Sequence, residues 1–371
     1  MHIAVLSIHP LYDTRIANHL STLVDAGHAV TYINWSPAGH TLPTRPELAR
    51  VQLVRRERPS TVGRNPALLA RMLLWFYRQA VRSGAKLIHL HDGLILPVAL
   101  PLRAIHGRTL VFDAHERYDR VPGVYGGYLR ACLRCALPFV AACVGVAPST
   151  VPARSRRSII VPNHQSRRDL KLVGPRPQDP GPLVVYFGTL ARADRDVDLL
   201  LALAQLMLDR NPLIRFRVGG QVPPDDAASL VPRFQALAQT YGDRFQWLGA
   251  MPREEVVRQT AHASLGLLLM KDVPNYRGSS PNKVFEYLML GVPFAATDGF
   301  AEAPEVLRSG AGLLLPPGAR AEEVAEQLLS LLDDADRLAL MRRAGAELGE
   351  RYAWETSSQA YLRLYDELTR A

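Results

Sequence analysis

Residues 279–291 read SSPNKVFEYLMLG and form the most informative pattern in the chain. Ser280 is a favoured N-cap residue, Pro281 suits the first helical position, and Gly291 suits the stop after the last turn. The stretch therefore predicts a helix with Lys283 in its first turn, where a cation opposes the helix dipole. An anion bound by Lys283 and by N–H groups of the first turn would resolve this conflict.

Glu286 follows Lys283 by three residues and shares its helix face. A carboxylate just beyond a phosphate site is well placed to accept hydrogen bonds from a ribose diol. Together the two residues fit a phosphate group and a neighbouring ribose at the start of this helix. The alternative interpretation is a solvated lysine–glutamate pair on a surface helix.

A second anion site is predicted in residues 188–195, GTLARADR, where an apolar strand leads into a helix. Gly188 allows close backbone approach, and Thr189, Arg192 and Arg195 offer hydrogen-bond donors. Two such turns in one domain favour a diphosphate, although an ordinary turn with exposed arginines would have the same sequence. Neither GxGxxG nor GxxxxGK followed by Ser or Thr occurs, so a nicotinamide or P-loop site has no support.

Asp194, Asp196 and Asp198 have the spacing of a metal-binding DxD motif. They fall where a helix should begin, and a carboxylate there caps N–H groups of the first turn. Capping is therefore the favoured interpretation, and no metal is expected.

Short apolar runs alternate with helical periodicity along both halves of the chain, which predicts an α/β fold with parallel sheets. Residues 163–182, a polar stretch with four prolines, are expected to link the halves. Two doubly wound domains facing across a cleft are predicted, with ligands at the carboxyl ends of the strands. Strands are expected at residues 2–8, 29–33, 87–90, 109–113, 144–147 and 159–161, and at residues 183–187, 214–218, 245–248, 265–270 and 293–297.

The composition of the 371 residues, 48% hydrophobic and 21% charged, is typical of a folded protein of about two domains. The 44 Lys and Arg exceed the 35 Asp and Glu, for a net charge of +9. Such an excess favours a nucleic acid, an anionic membrane or a phosphorylated small molecule as partner. No basic face interleaved with aromatic residues occurs, so nucleic acid is not expected to bind.

The positive charge is concentrated in residues 45–86, which hold ten basic side chains against two glutamates. An amphipathic helix is predicted here. Its pattern fits both contact with an anionic membrane surface and ordinary packing with an exposed basic side. The apolar face is expected to hold Leu68, Met72, Trp75, Phe76 and Gln79, with Arg71, Arg78 and Arg82 on another face.

Cys132, Cys135 and Cys143 are an odd number in one segment, which indicates a reducing compartment rather than a disulfide framework. The first residues, MHIAVLSIHPLYD, lack a basic segment and a long apolar core, so a secretory signal is not expected. The longest apolar stretch, residues 135–148, is shorter than the ~20 residues that span a bilayer. A cytoplasmic protein is expected, either free or peripheral on the inner face of a membrane.

The stretch SSPNKVFEYLMLGVPFAATD, residues 279–298, resembles the donor-binding motif of the retaining GT-B glycosyltransferases of family four, the glycosyl transferases group 1. Weaker motifs, in the order found in that family, extend the resemblance over nearly the whole chain. They are HPLYDTRI at residues 9–16, DAHE at 113–116, PN at 162–163, FG at 187–188, FQWLG at 245–249 and YAWE at 352–355.

The resemblance implies a GT-B fold of two Rossmann-like domains. Residues 1–165 would bind the acceptor, residues 166–350 would bind a nucleotide-diphosphate sugar carrying UDP, GDP or another nucleotide, and residues 351–371 would form a helix that can return to the first domain. It also implies transfer with retention and with no metal or other cofactor. In that mechanism the leaving phosphate takes the acceptor proton, and catalysis is mostly positioning and charge stabilisation.

On the donor side, the resemblance assigns Glu286 to the ribose and Lys283 to the helix start that faces the diphosphate. Arg195 matches a basic residue of the glycine turn, and residues 249–251 fall where relatives hold the base through main-chain groups. The implied donor-binding set is Gly188, Thr189, Arg192, Arg195, Gly249, Met251, Ser280, Asn282, Lys283 and Glu286.

On the other side, His115 matches the histidine that faces the donor sugar near the reacting phosphate. Together with Glu116 it forms the implied catalytic pair, and His9, Asp13 and Arg15 would line the acceptor side. A satisfied buried histidine at a strand end is the alternative interpretation of His115.

Two positions and one segment depart from the family pattern. Gly278 stands where the family has a sugar-contacting glutamate, eight residues before Glu286, which leaves the identity of the sugar open. Thr189 replaces the arginine of the glycine turn, which weakens diphosphate binding unless Arg192 substitutes. Residues 9–15 replace the usual glycine-rich first loop.

The predicted function is transfer of a sugar to a glycan, lipid-linked or small-molecule hydroxyl acceptor in the synthesis of a polysaccharide or glycoconjugate. A nucleotide-sugar epimerase or a phosphorylase-like enzyme would use similar domains but should differ in the PNKVFEY segment. A non-catalytic nucleotide-sugar-binding scaffold is a further alternative, given Gly278 and Thr189. Turnover with an acceptor would distinguish an enzyme from such a scaffold.

Overall fold

The computed structural model describes residues 1–38, 41–43, 45–58, 65–168, 173, 181–274 and 276–370. The chain divides into two compact units, one formed by Met1–Asn163 with Trp354–Ala371 and the other by His164–Ala353. Most of the expected linker, residues 169–172 and 174–180, lies outside the described residues.

The first unit is built on a parallel sheet whose strands are β1 (His2–Ser7), β2 (Ala29–Pro37), β3 (Gln52–Arg58), β4 (Leu87–His91), β5 (Thr109–Ala114), β6 (Ala142–Gly145) and β7 (Ser158–Ile160). Within the described residues the strand order is β3-β2-β1-β4-β5-β6-β7. The central strands are short apolar runs because a parallel sheet is covered on both faces. The accompanying helices are α1 (Thr14–Asp25), α2 (Pro66–Arg82), α3 (Ala99–His106) and α4 (Gly123–Ala136).

The second unit repeats this construction with β8 (Leu183–Phe187), β9 (Arg215–Gly219), β10 (Phe245–Trp247), β11 (Leu265–Leu268), β12 (Phe294–Thr297) and β13 (Gly312–Leu315). Its described strands are parallel and follow the order β10-β9-β8-β11-β12-β13. The helices are α5 (Val197–Arg210), α6 (Pro224–Tyr241), α7 (Arg253–Ala261), α8 (Asn282–Met289), α9 (Ala303–Ser309), α10 (Ala321–Asp333) and α11 (Ala335–Arg351).

The predicted strands are confirmed, with differences of a few residues at their ends. No pattern in the sequence predicts β3 and β13, which are edge strands. An edge strand has one neighbour and can leave its side chains partly solvated. The strand β3, QLVRRER, carries no apolar run, and β13, GLLL, is too short to be distinctive.

Helix α2 confirms the amphipathic helix predicted in the basic segment. Met72 and Phe76 are buried in the core, whereas Arg71, Arg78 and Arg82 are exposed. Among the described helices, none combines the length and the apolar character needed to cross a bilayer.

The C-terminal segment, α12 (Trp354–Ser357) and α13 (Gln359–Arg370), packs within the first unit. Trp354 Nε1 donates to Thr22 Oγ1 at 2.9 Å. Tyr361 and Tyr365 of α13 are fully buried. Because a buried tyrosine hydroxyl needs a hydrogen-bond partner, this helix has to meet polar groups inside the fold.

A buried ion pair supplies part of that polar interior. Arg15 of α1 donates to the two carboxylate oxygens of Asp113 at 2.9 and 3.1 Å, and also to the carbonyl oxygen of Val161 at 2.6 Å and the hydroxyl of Tyr361 at 2.9 Å. Burial alone would raise the pKa of Asp113, but the Arg15 guanidinium and nearby histidines bring it well below its usual range. The carboxylate of Asp113 is therefore ionised.

Replacing Arg15 with methionine should lower the free energy of unfolding by about 3–5 kcal/mol, because Asp113 would remain as a buried charge without its partner. The matched control is Arg50→Met, which removes the exposed ion pair with Asp25 and should cost less than about 1 kcal/mol. Urea unfolding of both variants measures the difference. Equal losses of stability would contradict the role given to the buried pair.

Candidate functional site

Polar side chains stand at the carboxyl ends of β1, β4 and β5, which are neighbours in the sheet of the first unit. His9 follows β1, Asp92 follows β4 and His115 follows β5. The rings of His9 and His115 stack with their centroids 4.5 Å apart. His9 lies between two carboxylates, with Nδ1 3.8 Å from Asp13 Oδ2 and Nε2 3.6 Å from Asp92 Oδ2. The predicted residues His9, Asp13 and His115 thus come together with Asp92 in one group, the carboxyl-edge cluster.

Asp92 is a member of this cluster that no sequence motif indicates. Its φ of +95° is the one positive φ of a non-glycine residue in the described part of the chain. Its side chain accepts a hydrogen bond from the backbone N–H of Leu94 at 2.7 Å, which supports the turn. Backbone strain of this kind costs about 1–3 kcal/mol and concentrates at functional sites. The strain supports a functional role for the cluster.

Glu116 and Arg15, the other two residues predicted in this unit, lie in contrasting places. Glu116 is exposed, one residue beyond His115. The acceptor-side position expected for Arg15 is corrected by the structure, because its side chain is 2% exposed and lies inside the fold. A guanidinium can be buried there since Asp113 and the carbonyl of Val161 provide its acceptors.

Behind His115 lies a buried polar group of histidines and tyrosines, namely His19, His89, His91, Tyr361 and Tyr365. Burial lowers the pKa of His115, His91 and His19 well below the usual histidine range, so their rings are neutral at neutral pH. Neutral imidazoles can ligate metals. Two trios of described residues bring possible ligand atoms within 4.8 Å of one another: His19, His89 and His91, and His91, Asp113 and His115.

In the second unit, Glu286 and Lys283 share one face of α8, with Lys283 Nζ 3.9 Å from Glu286 Oε2. Arg253 Nη1 donates to Glu286 Oε2 at 3.0 Å, and the Thr260 hydroxyl oxygen lies 3.3 Å from Oε1. Burial alone would raise the pKa of Glu286, but Arg253 and Lys283 bring it below its usual value. Burial lowers the pKa of Lys283. The start of α8 thus holds a fixed carboxylate beside a half-buried lysine.

The loops at the carboxyl ends of β8, β9 and β10 contact one another through glycine residues. We call these loops the glycine loops and define them by Gly188, Gly219, Gly220 and Gly249. The N–H of Gly188 donates to the carbonyl of Gly219 at 2.9 Å, and the N–H of Gly220 donates to that of Gly249 at 2.7 Å. A Cβ at Gly220, whose φ is +146°, would lie 1.7 Å from the carbonyl oxygen of Gly188. A Cβ at Gly188 would lie 3.2 Å from Cε of Lys283, so the glycine loops adjoin α8.

The two predicted arginines of the 188–195 turn separate. Arg195 Nη1 forms an ion pair with Asp194 Oδ2 at 2.7 Å. Burial is the largest cause that lowers the pKa of Lys283, and the positive charges of Arg253 and then of Arg195 lower it further. Arg192 donates to Asp198 at 2.7 Å and to Ser229 at 3.1 Å, which engages its guanidinium with α5 and α6. The structure therefore brings Arg195, but not the guanidinium of Arg192, toward the lysine.

The remaining donor-side predictions fall around the glycine loops and α8. Met251 lies against Gly219, since its Cε would be 2.8 Å from a Cβ added there. Thr189 and Asn282 are exposed. Asp196 accepts a hydrogen bond from the N–H of Leu199 at 3.1 Å, which confirms that it caps α5.

Ser280 does not cap α8, so that prediction is wrong. Pro281 occupies the N-cap position, and no described side chain caps this helix. The Ser280 hydroxyl instead donates to Glu302 Oε1 at 2.8 Å, because the loop before α9 packs against it. Burial raises the pKa of Glu302 to about 7. Without a side-chain cap, the first turn of α8 keeps N–H donors for an anion.

Arg253 and Gln165 support α8 from distant parts of the sequence. Arg253 Nη2 donates to Gln165 Oε1 at 2.8 Å, and Gln165 Nε2 donates to the carbonyl of Asn282 at 3.4 Å. No motif links these residues to Glu286, since the contacts span 88 and 117 positions. Only the fold makes them part of the site.

Comparisons with known proteins cover both the donor-side residues and the whole chain. Residues 181–334 match the family model of glycosyl transferases group 1. Sucrose-phosphate synthase from Thermosynechococcus elongatus aligns with a TM-score of 0.76 and 18% identity over 100% of this chain and 99% of its own. Anabaena Alr3699/HepE in complex with UDP-glucose aligns with a TM-score of 0.74 and 16% identity over 99% and 100%. An E. coli trehalose-6-phosphate structure bound with UDP-2-fluoro glucose aligns with a TM-score of 0.71 and 12% identity over 100% and 99%.

The chain has the GT-B fold. This confirms the predicted α/β class with two Rossmann-like sheets. The residues that match the group 1 model, 181–334, contain the glycine loops, α7 and α8. No curated protein sequence matches the chain.

Glu302→Gln should stabilise the protein above about pH 7 and flatten the pH dependence of its stability. Because the pKa is raised from 4.5 to about 7, the native state binds this proton more tightly than the unfolded state. Stability should therefore fall as the pH rises from about 4.5 to about 7, by on the order of 3 kcal/mol in full. Thermal unfolding across this range measures the slope.

The matched control is Glu322→Gln, which removes one exposed carboxylate from α10 and changes the net charge equally. It should leave the slope close to that of the wild type. An unchanged slope in Glu302→Gln would refute the assignment of this titration to Glu302.

Proposed function

We propose that this GT-B protein is a glycosyltransferase that moves a sugar from a nucleotide-diphosphate sugar to a hydroxyl group of an acceptor, with retention of anomeric configuration. The observation that carries the proposal is the buried carboxylate of Glu286 with the half-buried side chains of Lys283 and Arg253 beside the glycine loops, within the residues that match the group 1 model. The structures of Alr3699/HepE in complex with UDP and with UDP-glucose support a UDP-sugar or a related nucleotide sugar as donor.

Each group at the donor side suits one part of such a molecule. Glu286 is an ionised acceptor for the ribose hydroxyls. Lys283, Arg195 and the first turn of α8 offer positive charge and N–H donors to the diphosphate. The glycine loops carry no side chains, so ligand oxygens can approach their backbone closely. Main-chain groups of residues 249–251 would hold the base.

The proposed reaction breaks the bond between the anomeric carbon and the diphosphate and forms a bond from that carbon to the acceptor oxygen on the same face. The acceptor proton passes to an oxygen of the leaving phosphate. Negative charge grows on the diphosphate during this step, and Lys283 and Arg195 stabilise it without a metal ion. We assign His115 and Glu116 to the sugar and the reacting groups, and His9 and Asp13 to the acceptor side.

The proposed acceptor is a glycan, lipid-linked or small-molecule intermediate in the synthesis of a polysaccharide or glycoconjugate. A hollow of about 430 Å³ on the first unit supports an anionic, membrane-borne partner, since its described lining contains four arginines and no acidic side chain. The lining residues are Arg56, Arg71, Leu74, Trp75, Arg78, Gln79 and Arg82. We propose action in the cytoplasm or on the inner face of a membrane, which the free thiols of Cys132, Cys135 and Cys143 favour.

A nucleoside diphosphate should raise the melting temperature, because a ligand at 100 times its Kd adds about 2.7 kcal/mol to the stability of the native state. Differential scanning fluorimetry with UDP, GDP, ADP and dTDP identifies the nucleotide. Glu286→Ala should abolish the shift, whereas Glu347→Ala, an exposed glutamate of α11, should keep it. If none of the four nucleotides shifts the wild-type melting temperature, the donor-site proposal fails.

Once the nucleotide is known, transfer is tested with its sugars and a panel of hydroxyl acceptors. NMR of the product should show the anomeric configuration of the donor, and EDTA should leave the rate unchanged. Nucleotide binding without transfer to any acceptor would favour the scaffold alternative.

Replacing Arg71, Arg78 and Arg82 together with glutamine should weaken binding to vesicles that contain phosphatidylglycerol, because each basic residue near an anionic surface contributes about 1 kcal/mol. Replacing Arg320, Arg337 and Arg343 of the second unit removes the same charge and should leave vesicle binding unchanged. Co-sedimentation with anionic and with neutral vesicles measures both. If the wild-type protein does not bind anionic vesicles, the membrane proposal is contradicted and the transferase proposal stays intact.

A further inference from the structure

The buried polar group behind His115 forms one continuous chain of hydrogen bonds. His115 Nε2 lies 2.8 Å from His91 Nδ1, and His91 Nε2 lies 3.0 Å from His19 Nδ1. His19 Nε2 lies 2.7 Å from the hydroxyl oxygen of Tyr365. That oxygen lies 2.6 Å from His89 Nδ1, and the other nitrogen of this ring ends the series at Asp113. The histidine chain consists of His115, His91, His19, Tyr365, His89 and Asp113.

Asp113 gives the histidine chain its direction. Its carboxylate accepts hydrogen bonds from Arg15 and from the Tyr361 hydroxyl, the latter at 2.5 Å. An ionised carboxylate is an acceptor only. His89 Nε2, 3.3 Å from Asp113 Oδ2, must therefore carry a proton.

A neutral imidazole has one donor nitrogen and one acceptor nitrogen, so each link decides the next. With its proton on Nε2, His89 accepts through Nδ1 from the Tyr365 hydroxyl. The Tyr365 oxygen then accepts from His19 Nε2, which leaves His19 Nδ1 to accept from His91. His91 Nδ1 in turn accepts from His115 Nε2.

We propose that the histidine chain holds His115 in the tautomer with its proton on Nε2, so that Nδ1 presents a lone pair, and that Tyr365 is the positioning residue that decides this. His115 Nδ1 has no hydrogen-bond partner among the described residues, and the side chain is 11% exposed at the carboxyl-edge cluster. The consequence for binding rests on the proposed function: Nδ1 accepts a hydrogen bond from a hydroxyl group of the sugar or acceptor and offers no proton to the diphosphate.

A metal ion is the competing explanation of the same nitrogen atoms. The facing nitrogen atoms of His115 and His91 lie 2.8 Å apart, and those of His91 and His19 lie 3.0 Å apart. Each is the distance of a hydrogen bond from an N–H donor to a nitrogen lone pair. A metal bound between the two facing nitrogens of either pair would need lone pairs on both of them. Asp113 also already accepts from Arg15, Tyr361 and His89. The observed partners therefore favour the histidine chain.

Removal of the Tyr365 hydroxyl should reverse the upper part of the histidine chain. His19 Nε2 would then be a buried N–H with no acceptor, which is unfavourable. Moving its proton to Nδ1 lets His19 donate to His91, and His91 can then donate to His115 through Nδ1. The reversal leaves the proton of His115 on Nδ1. It also brings a proton toward Asp113 Oδ2, which lies 3.6 Å from His91 Nδ1.

Nitrogen-15 NMR of the histidine side chains in the full-length, ligand-free protein tests this directly. The signals of His115 are assigned by their loss in His115→Gln. In the wild type they should show the Nε2–H tautomer, and in Tyr365→Phe mainly the Nδ1–H tautomer. Tyr361→Phe is the matched control, because it removes a buried hydroxyl from the same helix that also bonds Asp113 but lies outside the histidine chain; it should keep Nε2–H.

The proposal is overturned by an Nδ1–H tautomer in the wild type, by an unchanged tautomer in Tyr365→Phe, or by a stoichiometric metal ion in the purified protein. A change to the Nδ1–H tautomer in Tyr365→Phe but not in Tyr361→Phe supports the proposal. If the protein also transfers no sugar, the proposal on the tautomer still stands and only the proposed function fails. In an active transferase, kcat should fall on the order of tenfold in Tyr365→Phe while the KM for the donor stays within about threefold. Tyr361→Phe should keep the wild-type kcat.

Discussion

The buried negative charge of Asp113 is the constraint on which the interior of the first unit depends. A carboxylate with no exposure to solvent is stable only when charged and polar groups surround it. Arg15 from α1 and Tyr361 from α13 provide those groups, together with His89 from β4. The ion pair therefore fastens the C-terminal helix to the sheet and orients a series of rings that ends at the carboxyl edge.

The second unit differs because the negative charge is expected on its proposed ligand and not on a buried side chain. For that ligand the protein leaves hydrogen-bond donors, and backbone that no side chain covers, at the carboxyl ends of β8, β9 and β10. Gly220 is required there because any Cβ would collide with the carbonyl of Gly188. Glu286 is kept ionised by Arg253 and Lys283. Parallel strands put such groups at one edge because all their carboxyl ends point the same way.

Local patterns were sufficient where the deciding physics is local. The spacing of Lys283 and Glu286 predicts their shared helix face, and the position of Asp196 predicts its cap. Ser280 shows the limit of this reasoning, since it has the right residue type for a cap but donates to Glu302 of another loop. Arg15 shows it again, because no local pattern reveals that its acceptors lie on β5, on α13 and directly after β7.

The sequence by itself determined the α/β class, most strands and the two anion-binding turns as candidates, because apolar periodicity and capping act over a few residues. The assembly of the buried polar interior was decided only by the tertiary structure. No sequence pattern distinguishes His19, His89, His91 and Tyr365. Their order along one hydrogen-bonded chain follows from the order of the strands and from the packing of α13 in the first unit. Hydrogen bonds between residues up to 346 positions apart require the complete fold of the unit.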